Sequence, residues 1–485
     1  MSTLKKFAGQ TAIYGLSNIA TRILNFFLTP LYTKIYSQAV YGIFTNLYSY
    51  ASIINAILAF GMETTYFRFL NKEKDKDKVY SNSFWSVTIV AVAFLFLGLS
   101  ASRNIADWLQ SDSINVDYLP FVRYFVWILA IDAICVIPFA KLRADDKAIK
   151  YAFVKVINIG TFIGLNLFFI FIVPLLLKHH WPGYQLFVTI QTNWVGYVFL
   201  ANLIASIVTL LLLLPEIAKV QAHFSWQLLT GMLSYSWPIL IANLSFIINE
   251  NLDKILLDRY LSLKEVGIYG SCCKLAIFMN IFIQAFRLGA EPFFFSHAHK
   301  ENATKTYATI MHYFIITICV INVGLMANID ILKHFIDSKF WVGLSVVPIL
   351  LFAYVCLGIY MNLSVWYKLS DQTRYGLYIS AIGAILTIGL NVLFIPKYSF
   401  MASAWTSLVA YLVMMVISYV LGQKNYPIPY QLKDALIYIG MSVVMVILLQ
   451  TVFGNNIFIR NLMVITLLAF AFIKEKDNFK KLIKA

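Results

Sequence analysis

Fourteen apolar runs, separated by short polar stretches, divide the chain from end to end. They lie at 9–31, 40–62, 80–101, 118–140, 151–174, 191–214, 232–254, 266–289, 306–328, 344–366, 375–395, 400–421, 434–453 and 457–473. Each is long enough to cross a hydrocarbon core of roughly 30 Å as a helix. In lipid, a helix satisfies its own backbone donors and acceptors, so the pattern predicts an all-α integral membrane protein with about fourteen spans. The stretches between the runs leave no room for a soluble domain. Composition agrees, since 60% of residues are hydrophobic and 13% charged, against about a quarter charged in soluble proteins.

The runs repeat. Gly164-Leu165-Asn166 returns as Gly389-Leu390-Asn391, an offset of 225 residues (164 to 389). The same offset pairs Asn18 with Asn243, Asn25 with Glu250, Lys34 with Arg259, Gly42-Ile43 with Gly267-Ile268, Arg143 with Lys368 and Asp146 with Asp371. In between, the register slips by three and sets Gly61-Met62-Glu63 against Gly289-Ala290-Glu291 before it recovers. Two copies of one membrane unit with a site between them is a common transporter plan, because alternating access needs two similar bodies. The organisation predicted is a six-helix bundle at 1–222, its repeat at 223–425, and two extra helices with a basic tail at 426–485.

Net charge is +15, and its distribution explains it. With both termini inside, the cytoplasmic segments hold 24 of the 38 Lys and Arg, the bias expected of short cytoplasmic loops. Loop 254–265 is the exception, placed outside with Lys254, Arg259 and Lys264. The basic excess therefore points to anionic inner-leaflet lipids and gives no reason to invoke nucleic acid. Lys5 and Lys6 precede the first run, but that run is long, studded with polar residues and repeated in mid-chain, so it is expected to be retained. The five cysteines lie within spans without C-x-x-C spacing and read as packing residues.

No P-loop or dinucleotide fingerprint is present, so the expected energy source is an ion gradient, H+ or Na+, or another protein. No cofactor or metal is expected: His297 and His299 have no acidic or Cys companions to complete a metal shell. His179 and His180 sit beside Trp181-Pro182-Gly183, a turn signal. The outer loop 102–117 carries Asp107, Asp112 and Asp117 without a basic or His cluster, which argues against a membrane-embedded glycan polymerase or ligase.

Chemistry is expected from polar residues inside the spans. Asn18, Arg22, Asn25 and Thr29 share one helical face. An arginine at mid-membrane costs at least about 2.5 kcal/mol on insertion scales, so Arg22 should face a partner or a watery cavity. Asn243 and Glu250 repeat two of these positions, Lys274 lies in the eighth run, and Asp132 sits near the middle of the fourth. Arg22, Lys274, Asn18, Asn25, Asn243 and Arg287 are the candidates for substrate contact, and Asp132 and Glu250 for ion coupling. The competing account is structural. The asparagines can bond between helices, Arg287, Glu291, Glu63 and Arg68 can snorkel from helix ends, Glu250 can pair with Lys274, and Gly160 with Gly164 forms a close-packing face.

Several segments resemble the polysaccharide exporters related to bacterial O-antigen flippases. They are Asn18, Pro30-Leu31-Tyr32-Thr33, Tyr41-Gly42-Ile43, Gly61-Met62-Glu63, Phe67-Arg68, Val266-Gly267-Ile268-Tyr269 and Gly389 to Pro396. The resemblance implies the multidrug/oligosaccharidyl-lipid/polysaccharide exporter superfamily, with two six-helix bundles around a V-shaped cavity. It implies export of a polyprenyl-pyrophosphate-linked oligosaccharide (O-antigen, capsule or exopolysaccharide unit) across the bacterial inner membrane, alongside glycan polymerase or ligase machinery. Arg22 and Lys274 would then meet the pyrophosphate. Ion-coupled drug export of the MATE type is the alternative within the superfamily, although that cavity should be dominated by acids.

Overall fold

Helices make up the regular structure of the described residues, with no strand among them. The computed structural model describes residues 17, 20, 21, 23–110, 116–180, 182, 194–221, 224–298, 300–370, 372–452 and 456–484. Among these, thirteen helices are long and apolar enough to cross a membrane. Of the fourteenth expected span, 9–31, residues 9–16, 18, 19 and 22 lie outside the described residues.

By packing, the chain divides into two units, Met1–Gly267 and Ile268–Ala485. The first begins with the short α1 (Thr29–Ile35), then α2 (Gln38–Ala59), α3 (Met62–Lys72), α4 (Lys76–Ser100) and α5 (Ser102–Leu109). It continues with α6 (Leu119–Ala144), α7 (Ala148–Leu167), α8 (Val173–His179), α9 (Gly196–Ile217) and α10 (Trp226–Tyr260). A π-helical turn, Phe168–Ile172, joins α7 to α8 immediately before Pro174, whose ring and missing N–H disrupt the regular ladder. α6 is the centre of the unit. It is apolar on nearly all sides, as a fully surrounded helix must be, and packs on α4, α9 and α2. Phe121, Phe125, Phe199 and Tyr48 interlock there with ring centroids 5.0 to 6.1 Å apart. α10 packs on α2 and α3.

The repeated glycines have a structural reason. A Cβ on Gly42 would lie 1.9 Å from the carbonyl oxygen of Leu263, and one on Gly267 would lie 1.8 Å from that of Gln38. The offset of 225 relates these contacts to each other, and all four residues fall in the first unit. Gly160 and Gly164 do not form the expected packing face: both are exposed, with nothing within 4 Å of an added Cβ. Their side of α7 points away from its neighbours, and spacing along a helix does not say what the face meets.

The second unit takes most of α11 (Leu263–His297), then α12 (Ala303–Ala327), α13 (Val347–Leu363), α14 (Val365–Leu369), α15 (Arg374–Tyr398), α16 (Phe400–Asn425), α17 (Leu432–Thr451) and α18 (Ile457–Lys484). α13 packs on α16 and α12, and α16 on α15. The extra helices α17 and α18 pack on α12. Arg460 of α18 secures that attachment, bonding the Asp330 carboxylate and the Met326 carbonyl. Asp330 lies in the one-turn helix Ile329–Leu332 that follows α12, where its hydrogen bond to Lys333 and the nearby Arg460 hold its carboxyl below the usual range. The three-residue slip between repeats also becomes visible. Gly61 breaks the first copy in the left-handed region, φ 72°, whereas Gly289 sits inside the continuous α11.

Candidate functional site

Within the first unit, residues of α2, α3, α6, α7 and α9 line a polar, partly open cavity of about 290 Å³. Asp132 reaches it from midway along α6. Ser206 of α9 and Lys155 of α7 line the same cavity. Lys155 Nζ also sits 4.3 Å from the ring centroid of Phe139 and 5.9 Å from that of Tyr151. The polar wall is ordered. Asn158 Nδ2 donates to Thr209 Oγ1 at 2.9 Å and to the Ala205 carbonyl at 3.2 Å, and Asn202 Nδ2 donates to the Tyr48 hydroxyl at 2.9 Å.

Glu63 of α3 and Arg143 of α6 form an ion pair at the cavity's edge, with the guanidinium 4.9 Å from the Phe67 ring centroid. Just beyond, the α6–α7 turn holds Lys147 3.0 Å from Asp145, and that hydrogen bond raises the lysine above its ordinary range.

The second unit repeats the ion pair. Glu291 of α11 accepts from Lys368 of α14 at 2.6 Å, and Arg287 Nε lies 3.5 Å from the same carboxylate. Glu63 and Arg143 are the positions that the sequence repeat matches to Glu291 and Lys368, so duplication has preserved an interaction as well as its residues. The repeated asparagines behave alike: Asn166 bonds back to the Phe162 carbonyl at 2.7 Å and Asn391 to that of Thr387 at 2.8 Å.

The remaining sequence-derived candidates scatter. Asn18 and Arg22 lie outside the described residues. Asn25 and Asn243 are exposed, and Glu250 and Lys274 are partly buried, Glu250 in the first unit and Lys274 in the second. Lys254 binds the Glu250 carbonyl at 2.6 Å and the Asp253 carboxylate at 2.8 Å. Arg287 belongs to the Glu291 ion group. In α5, Asp107 pairs with Arg103 at 3.2 Å as an exposed bridge one helical turn long. No group of three potential metal-binding side chains occurs among the described residues.

Lys155 escaped the reading of the sequence because it was counted with the basic residues of the α6–α7 connection. A signal was present: Asn202, Ser206 and Thr209 stand at i, i+4 and i+7, a polar stripe along the otherwise apolar α9.

The helix order and the polar interior of the first unit define a membrane transporter fold, and known structures share it. The lipid II flippase MurJ in an inward closed conformation aligns with TM-score 0.68 at 15% identity, covering 96% of this chain and 99% of MurJ. An inward-facing multidrug resistance MATE transporter of the MOP superfamily aligns at 0.60 and 13% identity, over 85% and 94% of the two chains. A variant of the Vibrio cholerae MATE transporter VcmN gives 0.60 and 12%, over 87% and 95%. No curated protein matches by sequence. A family profile described as polysaccharide biosynthesis protein matches residues 7–296, and the chain belongs to that family. The family match bears out the resemblance to a polysaccharide family, and the fold is the one shared by MurJ and the MATE transporters.

Proposed function

We propose that the protein is a flippase that carries a polyprenyl-pyrophosphate-linked oligosaccharide from the inner to the outer leaflet of a bacterial cell membrane. The observation that carries this reading is a fold shared with a lipid II flippase across nearly all of both chains, in a member of a polysaccharide biosynthesis family. A pyrophosphate crossing a bilayer needs cations at membrane depth, and Arg22 and Lys274 are assigned that contact, with Asn18, Asn25, Asn243 and Arg287 as further contacts. Asp132 and Glu250 are assigned to loading and releasing H+ or Na+. The partners are the lipid-linked glycan, membrane lipids, and the polymerase or ligase that consumes the product. Drug export of the MATE type is the second reading, supported by the MATE structures and by a carboxylate in the first unit's cavity.

Proteoliposomes loaded with fluorescent lipid-linked oligosaccharide test both readings. Leaflet transfer should require the protein, fall at least about tenfold in an Arg22→Gln, Lys274→Gln double variant, and recover partly with lysine at position 22, which keeps charge but lacks the guanidinium fork. An imposed proton or sodium gradient should accelerate transfer, and Asp132→Asn or Glu250→Gln should remove that response. Transfer of cationic dyes without any transfer of the glycolipid would favour the drug exporter.

A further inference from the structure

We infer that α11 and α12 form a binding groove for an anionic phospholipid, with the lipid phosphate at Lys305 and one acyl chain along an aromatic floor. The groove lies within the second unit, is open along one side and measures about 470 Å³. α11 supplies Phe282, Phe286 and Phe293, and α12 supplies Phe314 and a wall that runs from Lys305 to Thr317. The Phe286 and Phe314 rings pack with centroids 4.4 Å apart, and Phe282 stacks on Phe314 at 6.3 Å. Between Lys305 and Thr317 the helix advances twelve residues, about 18 Å at 1.5 Å per residue. Half of a hydrocarbon core of roughly 30 Å is about 15 Å. The groove therefore has the length of one leaflet's acyl chain with its headgroup at the Lys305 end.

Its two ends differ in chemistry. Lys305 is exposed on the wall near the start of α12. Across the short connection from α11, His297 stacks on Phe293 with ring centroids 3.8 Å apart, and Lys300 Nζ lies 3.1 Å from His297 Nε2. Between 297 and 305 the sequence sets Lys300 and Lys305 against Glu301 alone, so this end is basic. Farther along, the polar side chains make no demand on a ligand. Thr306, Thr309 and Thr317 donate to the carbonyls of Asn302, Lys305 and Tyr313 at 3.1, 2.9 and 2.8 Å. Their donors are satisfied within the helix, and an alkyl chain can lie against them without stranding a hydrogen bond. A basic mouth on an aromatic trough complements a phosphate carried on an acyl chain, and a lysine stem at a helix end reaches the headgroup level. On the orientation that the basic loops predict, this end faces the cytoplasm, so the lipid belongs to the inner leaflet, where anionic lipids give the surface its negative potential.

Lipid titration of the purified full-length protein in mixed micelles tests it. Dioleoylphosphatidylglycerol should raise the thermal unfolding midpoint in a saturable manner, and by more than dioleoylphosphatidylcholine, whose headgroup has no net charge. Inorganic phosphate at equal concentration should give no rise, because it lacks the chain. Lys305→Gln should raise the half-saturating fraction of phosphatidylglycerol about fivefold, the equivalent of the roughly 1 kcal/mol that one basic residue contributes at an anionic surface. Lys433→Gln removes an exposed lysine from the start of α17 and should leave the titration unchanged. Thr309→Trp fills the trough and should abolish the rise with both lipids. If that variant does not survive purification, native mass spectrometry decides: wild type should retain a phosphatidylglycerol adduct that Lys305→Gln loses. Four results would overturn the inference: equal stabilisation of wild type by the two lipids, a rise with inorganic phosphate alone, a wild-type titration or adduct in Lys305→Gln or Thr309→Trp, or an effect of Lys433→Gln as large as that of Lys305→Gln. The readout is lipid binding, so this inference and the flippase reading can each fail without the other.

Discussion

At the scale of single residues, the duplicated ion pair shows what a repeat can and cannot tell. The offset and its slip matched Glu63 to Glu291 and Arg143 to Lys368, yet equivalence between copies says nothing about which residues touch within a copy. The contact became visible only when α3 met α6 and α11 met α14. Asp132 was legible because a carboxylate in the middle of an apolar run is costly wherever it sits. Lys155 was not, because a lysine near a helix end has an ordinary explanation. In Glu291–Lys368 both side chains are 31% exposed, so screening limits the pair to about 1 kcal/mol or less. A double-mutant cycle of Glu291→Gln with Lys368→Met should give a coupling of about 0.3 to 1 kcal/mol in thermal unfolding. The Glu63→Gln, Arg143→Met cycle should give a value of the same sign. Zero coupling in both would reduce the repeated pair to a coincidence of surface charges.

Helices were the most legible scale, and their contacts the least. Apolar runs located thirteen spans because lipid demands length and hydrophobicity from each helix separately. They underestimated α10 and α11, each 35 residues long, since polar ends continue as helix beyond the apolar run. The glycine spacing at 160 and 164 suggested close packing where the structure has open space, while Gly42 and Gly267, isolated in sequence, meet backbone carbonyls. A methyl group cannot fit 1.9 or 1.8 Å from a carbonyl oxygen, and a backbone moves less readily than a side chain tip. Gly42→Ala and Gly267→Ala should therefore each cut the yield of monodisperse protein severely, with Gly160→Ala and Gly164→Ala close to wild type by size-exclusion chromatography. Normal yield and melting behaviour in Gly42→Ala would mean that the approach of α2 to Leu263 is looser than described here.

For the whole molecule, sequence repeat and packing divide the chain at different points. The repeat begins near 223, whereas the packing boundary follows Gly267, because α10 makes its contacts with α2 and α3 of the first copy. A repeat records duplication of the gene, and packing records where a helix buries its surface, so the two need not coincide. Orientation rests on a third property, the asymmetry of charge. Basic residues crowd the 68–79 and 141–155 segments and the C-terminal tail, and short loops rich in Lys and Arg stay on the cytoplasmic side. Both termini should then be cytoplasmic. With the native cysteines inside helices, single cysteines introduced at positions 76 and 480 should react with an impermeant maleimide only after the cells are opened. Those at positions 110 and 178 should react in intact cells whose outer barrier has been permeabilised. Labelling of position 480 from outside would make the number of crossings odd, and the basic tail would then lie opposite the basic loops, against the charge bias on which the orientation rests.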